Sequence, residues 1–492
     1  MADPPLRIVM VSAEMESLAR TGGLGDVAQA VSAHVARAGA HVLVVTPLYG
    51  VTKIPAGCTR WPETVPVRVG WGPFDVRQAS VLELPPAEGG RLRVCLLDDP
   101  ALFGRAGIYG DMHGTFGDND LRFATLSRGA LEVAARGWGT LPDVIHAHDW
   151  HAALAIVYAR LTMGAAWSRV KSVMTIHNLG FQGSLGTEAL DRLAIPRDAF
   201  LSGAMNHFGG VNLMKGAIAY ADRVTTVSPT YAREIQTQPG GFGLDGFLRD
   251  QATKLVGILN GIDTERFDPS RDAAIAELYD AKTFEHGRAT CKAALLAELG
   301  LDAEPDAPLF STVTRLTGQK GIDLFLAAVP MLVERGARVA IVGQGEPELE
   351  ASVLAMAARF PGRVAARIAF DGALARRTYA GSDFFVVPSR YEPCGLTQMY
   401  AMRYSAIPIV TAVGGLKDTV LPARPAQGEG TGLVAPHATP NELAFAIEDA
   451  LTLYADGVAL RELRRRAMQR DSSWTTSCQA YLALYRELVA TS

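Results

Sequence analysis

Two successive α/β domains, each a doubly wound parallel sheet, are predicted for this 492-residue chain. Three observations predict them. Short apolar runs suited to buried parallel strands alternate with helical stretches. The alternation comes in two separate series. Turns rich in glycine or charge follow several of the runs, where open α/β sheets place their ligands.

The first series opens at Arg7–Ser12 (R-I-V-M-V-S), a buried-strand pattern. After a glycine loop, Val27, Val31 and Val35 recur at helical spacing until Gly39, which suits a helix C′ position. Val42–Thr46 is a second strand stopped by Pro47, completing a βαβ unit. Val144–His148, Val173–His177 and Val224–Ser228 continue the pattern. The second series starts near residue 255: Leu255–Leu259 leads into N-G-I-D and a charged helical stretch. Leu309–Thr314, Arg338–Val342, Phe384–Val387 and Ile407–Val410 then alternate with helices. The expected domains are 1–254 and 255–474, with the crossing around 250–262. The stretches at 84–90 and 422–432 read as surface loops.

Composition narrows the class. With 48% hydrophobic and 20% charged residues the chain is ordinary globular material, too long for one core. A net charge of −4, from 47 basic and 51 acidic residues, gives no electrostatic case for nucleic acid or an anionic membrane. The five cysteines have no C-x-x-C spacing, which points to a reducing compartment. No basic-then-apolar leader or membrane-length apolar run is present, so a cytoplasmic enzyme is expected.

The turns carry the chemistry. Residues 20–27, R-T-G-G-L-G-D-V, follow the first strand and open a helix near Gly25. Gly22 and Gly23 let backbone N–H groups approach a ligand, and the helix start adds partial positive charge, which suits a diphosphate. A ligand-free tight turn fits the same residues. Asp26 is expected to contact a sugar hydroxyl or cap the helix. In the second series, Arg315 and Lys320 flank the turn T-R-L-T-G-Q-K-G. Two cations there can neutralise a diphosphate, each charge-assisted bond contributing about 1.5–3 kcal/mol.

Residues 387–397 read V-P-S-R-Y-E-P-C-G-L-T, with a helix expected from about Gly395. Glu392 would then hold sugar hydroxyls or stabilise a developing oxocarbenium charge; helix capping is its simpler alternative. Cys394 reads as a packed residue, since no His or Asn partner is identifiable. Gly414-Gly415-Leu416 repeats the anion-loop pattern. In the first series, H-A-H-D-W-H places His146 and His148 on one strand face, and with His151 a metal site is conceivable. No remote carboxylate or cysteine ligand accompanies them, so Asp149 at the strand tip is read as contacting a sugar or acceptor hydroxyl. His177 and Asn178 in I-H-N-L-G likewise sit at a strand end.

Taken in order, T-G-G-L-G-D-V, H-A-H-D-W-H, T-I-H-N-L, V-S-P-T-Y-A-R-E-I, L-N-G-I-D, T-R-L-T-G-Q-K-G and P-S-R-Y-E-P-C-G-L-T-Q resemble bacterial glycogen synthases and plant starch synthases. The resemblance covers essentially the whole length. It implies the GT-B fold, two Rossmann-like domains facing across a cleft, and retaining transfer of glucose to the end of an α-1,4-glucan. The implied donor is ADP-glucose and the acceptor glycogen, with no cofactor and no metal. Arg315 and Lys320 would hold the diphosphate, Glu392 would face the transferred glucose, and the Gly22–Gly23 amides would approach the phosphates. His177 and Asp149 would line the glucose and acceptor side with Asn178, and Asn260 would lie near the sugar. The segment Cys394, Gly395, Leu396 and Thr397 would complete the substrate contacts. A helix at 475–492 would pack back on the first domain.

Two positions depart from the family pattern. Arg20 stands at the lysine of Lys-x-Gly-Gly-Leu, and a guanidinium grips an anion in a fork where an ammonium makes a point contact. Thr411 stands where many relatives carry arginine. Donor preference is therefore open between ADP-glucose and UDP-glucose, and a related transferase or a silent glucan-binding protein are the competing functions.

Overall fold

The structure is a computed structural model that describes residues 5–304 and 306–490. The chain divides into two compact units. One comprises Met1–Val227, Ala232–Asn260 and Trp474–Ser492; the other comprises Ser228–Tyr231 and Gly261–Ser473.

The first unit is built on a parallel core. Its strands lie in the order Leu255–Gly257, Arg223–Thr226, Lys171–Ile176, Val144–His148, β1 (Arg7–Val11), β2 (His41–Pro47) and Leu92–Asp98. An antiparallel edge follows, led by Val76–Glu83. The order reverses between β1 and Val144–His148, each side continuing outward from there. Such a reversal is where open sheets bind ligands, because the loops leaving the two strands diverge to opposite faces.

Helix α1 (Gly23–Arg37) covers one face of this sheet, burying Val27, Val31 and Val35. Gly39 follows with φ 103°, the left-handed C′ geometry that its position requires. The helix Trp474–Ala490 joins the same core through Trp474, Cys478, Tyr481, Tyr485 and Leu488. Each such side chain, fully buried, contributes about 1.5–3 kcal/mol before entropy is counted.

Leu255–Gly257 differs from its expected place. It pairs in parallel with Arg223–Thr226, so it closes the first sheet rather than opening the second. Apart from Ser228–Tyr231, the chain belongs to the second unit only from Gly261. Residues 261–283 are mostly turns, and the helix there begins at Phe284.

The second unit is a six-stranded parallel sheet. Its order is Val364–Arg367, Arg338–Val342, Leu309–Val313, Phe384–Val387, Ile407–Thr411 and Leu433–Ala435. Numbered along the chain this is 3-2-1-4-5-6, the order of dinucleotide-binding folds. The reversal lies between Leu309–Val313 and Phe384–Val387. Four residues from earlier in the chain dock here as well. Ser228 donates its hydroxyl to Pro393 O at 2.8 Å, and Asp418 accepts from Thr230 N and Oγ1 at 2.8 and 2.6 Å. The V-S-P-T-Y motif is thus a structural anchor of the second unit. Among the described residues, no helix is long and apolar enough to cross a membrane.

Candidate functional site

Each unit gathers its chemistry at its own reversal point. In the first, the loop after β1 is organised by a residue the sequence did not single out. Glu14, buried beyond the strand end, accepts from Thr21 N (2.7 Å), Thr21 Oγ1 (3.0 Å), Gly22 N (3.0 Å) and Tyr109 OH (2.5 Å). The Gly22 amide is therefore committed to Glu14 and does not stand open to a phosphate. Gly23 is the first residue of α1, and its N–H has no acceptor among the described residues. A Cβ at Gly22 would meet nothing within 4 Å, whereas one at Gly25 would press on Arg20 Cβ at 3.0 Å and Glu16 N at 3.2 Å. The third glycine is thus a packing requirement.

Asp26 neither caps α1 nor stands alone. It lies in the first helical turn without a capping bond, and its Oδ1 takes Arg20 Nη1 at 2.7 Å. Burial pushes the Asp26 carboxyl up to about 6 against the pull of Arg20. Arg20 also lies 3.6 Å from Glu16, so two carboxylates flank its guanidinium.

The strands Val144–His148 and Lys171–Ile176 deliver the rest of the first site. Asp149 opens the next helix in a left-handed conformation, φ 55°, uncommon for a residue with a side chain. Its Oδ1 accepts from His177 N at 2.7 Å and Asn178 N at 3.4 Å, tying the two strand-end turns together. Burial raises its carboxyl to about 7; these two N–H groups act in the opposite sense and Glu14 adds to the rise. Asn178 Oδ1 accepts from Gly180 N at 2.9 Å and so shapes its own turn. His177 and His148 are bonded ring to ring at 2.9 Å, and burial lowers both, His177 to about 3. Asn260 is buried, and its Oδ1 has no hydrogen-bond partner among the described residues.

His146 has no nitrogen free for a metal ion: it spends both, on Tyr485 OH at 2.7 Å and Thr175 Oγ1 at 2.6 Å. His151 stacks on Tyr109 with ring centres 4.6 Å apart. Among the described residues, no group of three or more His, Cys, Asp or Glu is placed to hold a metal ion.

In the second unit, Arg315 follows the strand Leu309–Val313, is exposed, and has no side-chain partner among the described residues. Lys320 Nζ pairs with Glu392 Oε2, which also accepts from Ser389 Oγ at 3.1 Å. One main-chain and one side-chain bond lock the two turns together: Arg390 N donates to Gln319 O at 2.9 Å, and Gln319 Nε2 donates to Tyr391 O at 3.2 Å. Gly321 allows the approach. Its φ is 65°, and a Cβ there would lie 2.0 Å from Pro388 O. Lys320 and Glu392, 72 residues apart in sequence, thereby meet at the sheet's reversal.

Two expectations change in this unit. The helix begins at Thr397, with Leu396 at its N-cap and no side-chain cap, so Glu392 is no helix cap. Gly414–Gly415 is not an open anion loop. Gly415 N donates to Glu392 O at 3.0 Å, and a Cβ at Gly415 would lie 2.2 Å from Cys394 O. Gly415 serves close backbone packing beneath the E-P-C turn. Thr411, one of the two positions that depart from the family pattern, is buried and donates to Ser389 O at 2.6 Å. Cys394 is buried, its carbonyl accepting from Gln398 Nε2 at 3.3 Å, and Gly395 turns the chain at φ 70°.

Comparison with known proteins places this geometry. Residues 7–250 match the family model for the starch synthase catalytic domain, and residues 307–452 match the model for glycosyl transferases group 1. The chain is 44% identical to a glycogen synthase of Myxococcus xanthus, covering 99% of this chain and 100% of that one. It is 42% identical to a glycogen synthase of Rhodopseudomonas palustris, over 99% of each. The catalytic domain of starch synthase IV from Arabidopsis thaliana, bound to ADP and acarbose, superposes with a TM-score of 0.90 at 31% identity, over 99% of this chain and 100% of that one. Sucrose-phosphate synthase from Thermosynechococcus elongatus shares the fold at 20% identity, with a TM-score of 0.61 over 99% of this chain and 100% of that one. Two Rossmann-like units, matched over their full length by such relatives, make this chain a member of the glycogen and starch synthase family of GT-B glycosyltransferases.

Proposed function

We propose that the enzyme transfers glucose from ADP-glucose to the non-reducing end of an α-1,4-glucan with retention of configuration. The observation that carries this reading is the meeting of Lys320 with Glu392 at the reversal of the second sheet, in the same turn as Arg315, whose side chain has no partner among the described residues. Departure of a nucleoside diphosphate develops negative charge on the leaving oxygen and positive charge on the sugar. Preorganised cations stabilise the first and a carboxylate the second, without covalent help from the protein.

In this reading Arg315 and Lys320 take the diphosphate, and Glu392 faces the transferred glucose. Gly395, Leu396 and Thr397 add contacts at the start of their helix, with Cys394 packed beneath. His177, Asp149 and Asn260 serve the glucose and acceptor side, with Asn178 shaping the turn that holds His177. Gly23 offers the open amide of the glycine loop. Arg20, held by Asp26, reaches the donor only by exchanging one anion for another, so donor affinity depends on that pair.

The test is turnover on glycogen with ADP-glucose and UDP-glucose as alternative donors, each at several concentrations. The reading expects a higher kcat/KM with ADP-glucose. Equal or better use of UDP-glucose overturns the donor assignment, and glucan binding without glucose incorporation from either donor favours a silent binding protein.

A further inference from the structure

The ring-to-ring bond between His148 Nδ1 and His177 Nε2 determines where the protons of both side chains sit. Both rings are buried, and burial favours their neutral forms, so each carries one proton. A hydrogen bond between two neutral imidazoles needs an N–H on one side and a lone pair on the other. If His177 donated from Nε2, the proton of His148 would sit on its own Nε2. That nitrogen is buried and has no partner. If His148 donates from Nδ1, its Nε2 is instead a bare lone pair, and the proton of His177 sits on Nδ1. A buried N–H without an acceptor is the rarer and costlier of the two orphans.

His148 is itself held in place from behind. Its ring centre lies 4.1 Å from that of His146. Tyr485 OH and Thr175 Oγ1 engage both nitrogens of His146, and Thr175 Oγ1 is bonded onward to Thr225 Oγ1 at 2.6 Å. On the far side, Asp149 fixes the His177 backbone through a 2.7 Å bond. The Nδ1 of His177 has no protein partner among the described residues but, unlike His148 Nε2, it is not sealed from solvent, so a proton there is not orphaned.

We propose that His148 is a positioning residue that sets His177 in the Nδ1–H tautomer, so that His177 presents a hydrogen-bond donor to a hydroxyl oxygen of the transferred sugar. This inference rests on His177 facing the sugar, as proposed above. An outer histidine that fixes the tautomer of an inner one acts as second partners do around metal-bound histidines.

The experiment is 15N NMR of the histidine-labelled full chain, with the His177 signals assigned by their loss in His177→Gln. The proposal expects a protonated Nδ1 and a bare Nε2 on His177 in the wild type. It expects His148→Phe, which keeps the ring and the stacking, to lose that preference and to lower kcat about tenfold at nearly unchanged donor KM. His148→Asn, whose amide can donate from the Nδ1 position, should restore both. A proton on His177 Nε2 in the wild type overturns the proposal whatever the variants do. So does a His148→Phe variant with wild-type kcat, or one that His148→Asn fails to rescue. The role of His177 is tested separately by His177→Ala: undiminished turnover there overturns the site reading, with the tautomer measurement unaffected.

Discussion

Replacing Lys320 by methionine separates folding from chemistry, because the pair it forms with Glu392 serves both. The side chains of Lys320 and Glu392 are 16% and 8% exposed. Breaking a fully buried pair costs about 3–5 kcal/mol, and breaking an exposed one about 0–1. This pair lies between, and Glu392 keeps Ser389 as a partner, so a loss of about 2 kcal/mol is expected. In a unit of this size that lowers the thermal midpoint by roughly 4–8 °C. If Lys320 takes the leaving diphosphate as proposed, its removal should cost roughly 100- to 1,000-fold in kcat. The double variant Lys320→Met, Glu392→Gln leaves no buried charge unpaired, so it should regain most of the midpoint but none of the turnover. Scanning calorimetry and initial rates on glycogen, for the wild type and three variants, complete the cycle. A single variant that loses less than tenfold in kcat, or a double variant that regains turnover with stability, would refute the reasoning.

Three further outcomes are expected. Glu14→Ala leaves the Thr21 and Gly22 amides without their acceptor, so KM for ADP-glucose should rise about tenfold, with Glu14→Gln intermediate; an unchanged KM in both removes Glu14 from the donor loop. Asp149→Asn keeps the acceptor for His177 N and the left-handed backbone while removing the charge. Because burial raises this carboxyl from 3.8 to about 7, the folded state favours its protonated form, and stability is lost as pH rises from about 4 to about 7. Turnover should climb through pH about 7 as the carboxylate forms in the wild type, and the asparagine variant should lack that limb; the same limb in both assigns it elsewhere. Gly321→Ala should cost at least about 2 kcal/mol, since its Cβ would meet a backbone oxygen at positive φ, whereas Gly318→Ala meets no atom within 4 Å and should be nearly neutral by calorimetry.

How far the sequence carries depends on what each element buries. The parallel strands were legible because both faces are covered, which leaves apolar runs such as Val42–Val45 and Val339–Val342. The antiparallel edge at Val76–Glu83 was not, because its exposed and half-buried positions break the pattern into no clear period. Leu255–Gly257 was visible as a strand but not as a member of the first sheet, since pairing partners carry no mark in a single sequence. In the site, Arg315, Lys320 and Glu392 stood out because charge at the end of an apolar run is conspicuous. Glu14 is equally close to a strand end, yet its meaning depends on Tyr109, 95 residues away. An acidic residue eight positions before Gly22 was the available signal. Gly415 and Gly22 show the reverse error: a glycine pair suggests an anion, and only the fold reveals that Glu392 O and Glu14 already occupy those amides.

The most direct test of the account is where the transferred glucose ends up. Glycogen is incubated with the enzyme and ADP-glucose labelled in its glucose, then digested by an exo-acting amylase that cuts only α-1,4 bonds from non-reducing ends. The account predicts label recovered in maltose early in the digestion. Label released as free glucose before digestion, or glycogen left unlabelled, would contradict it.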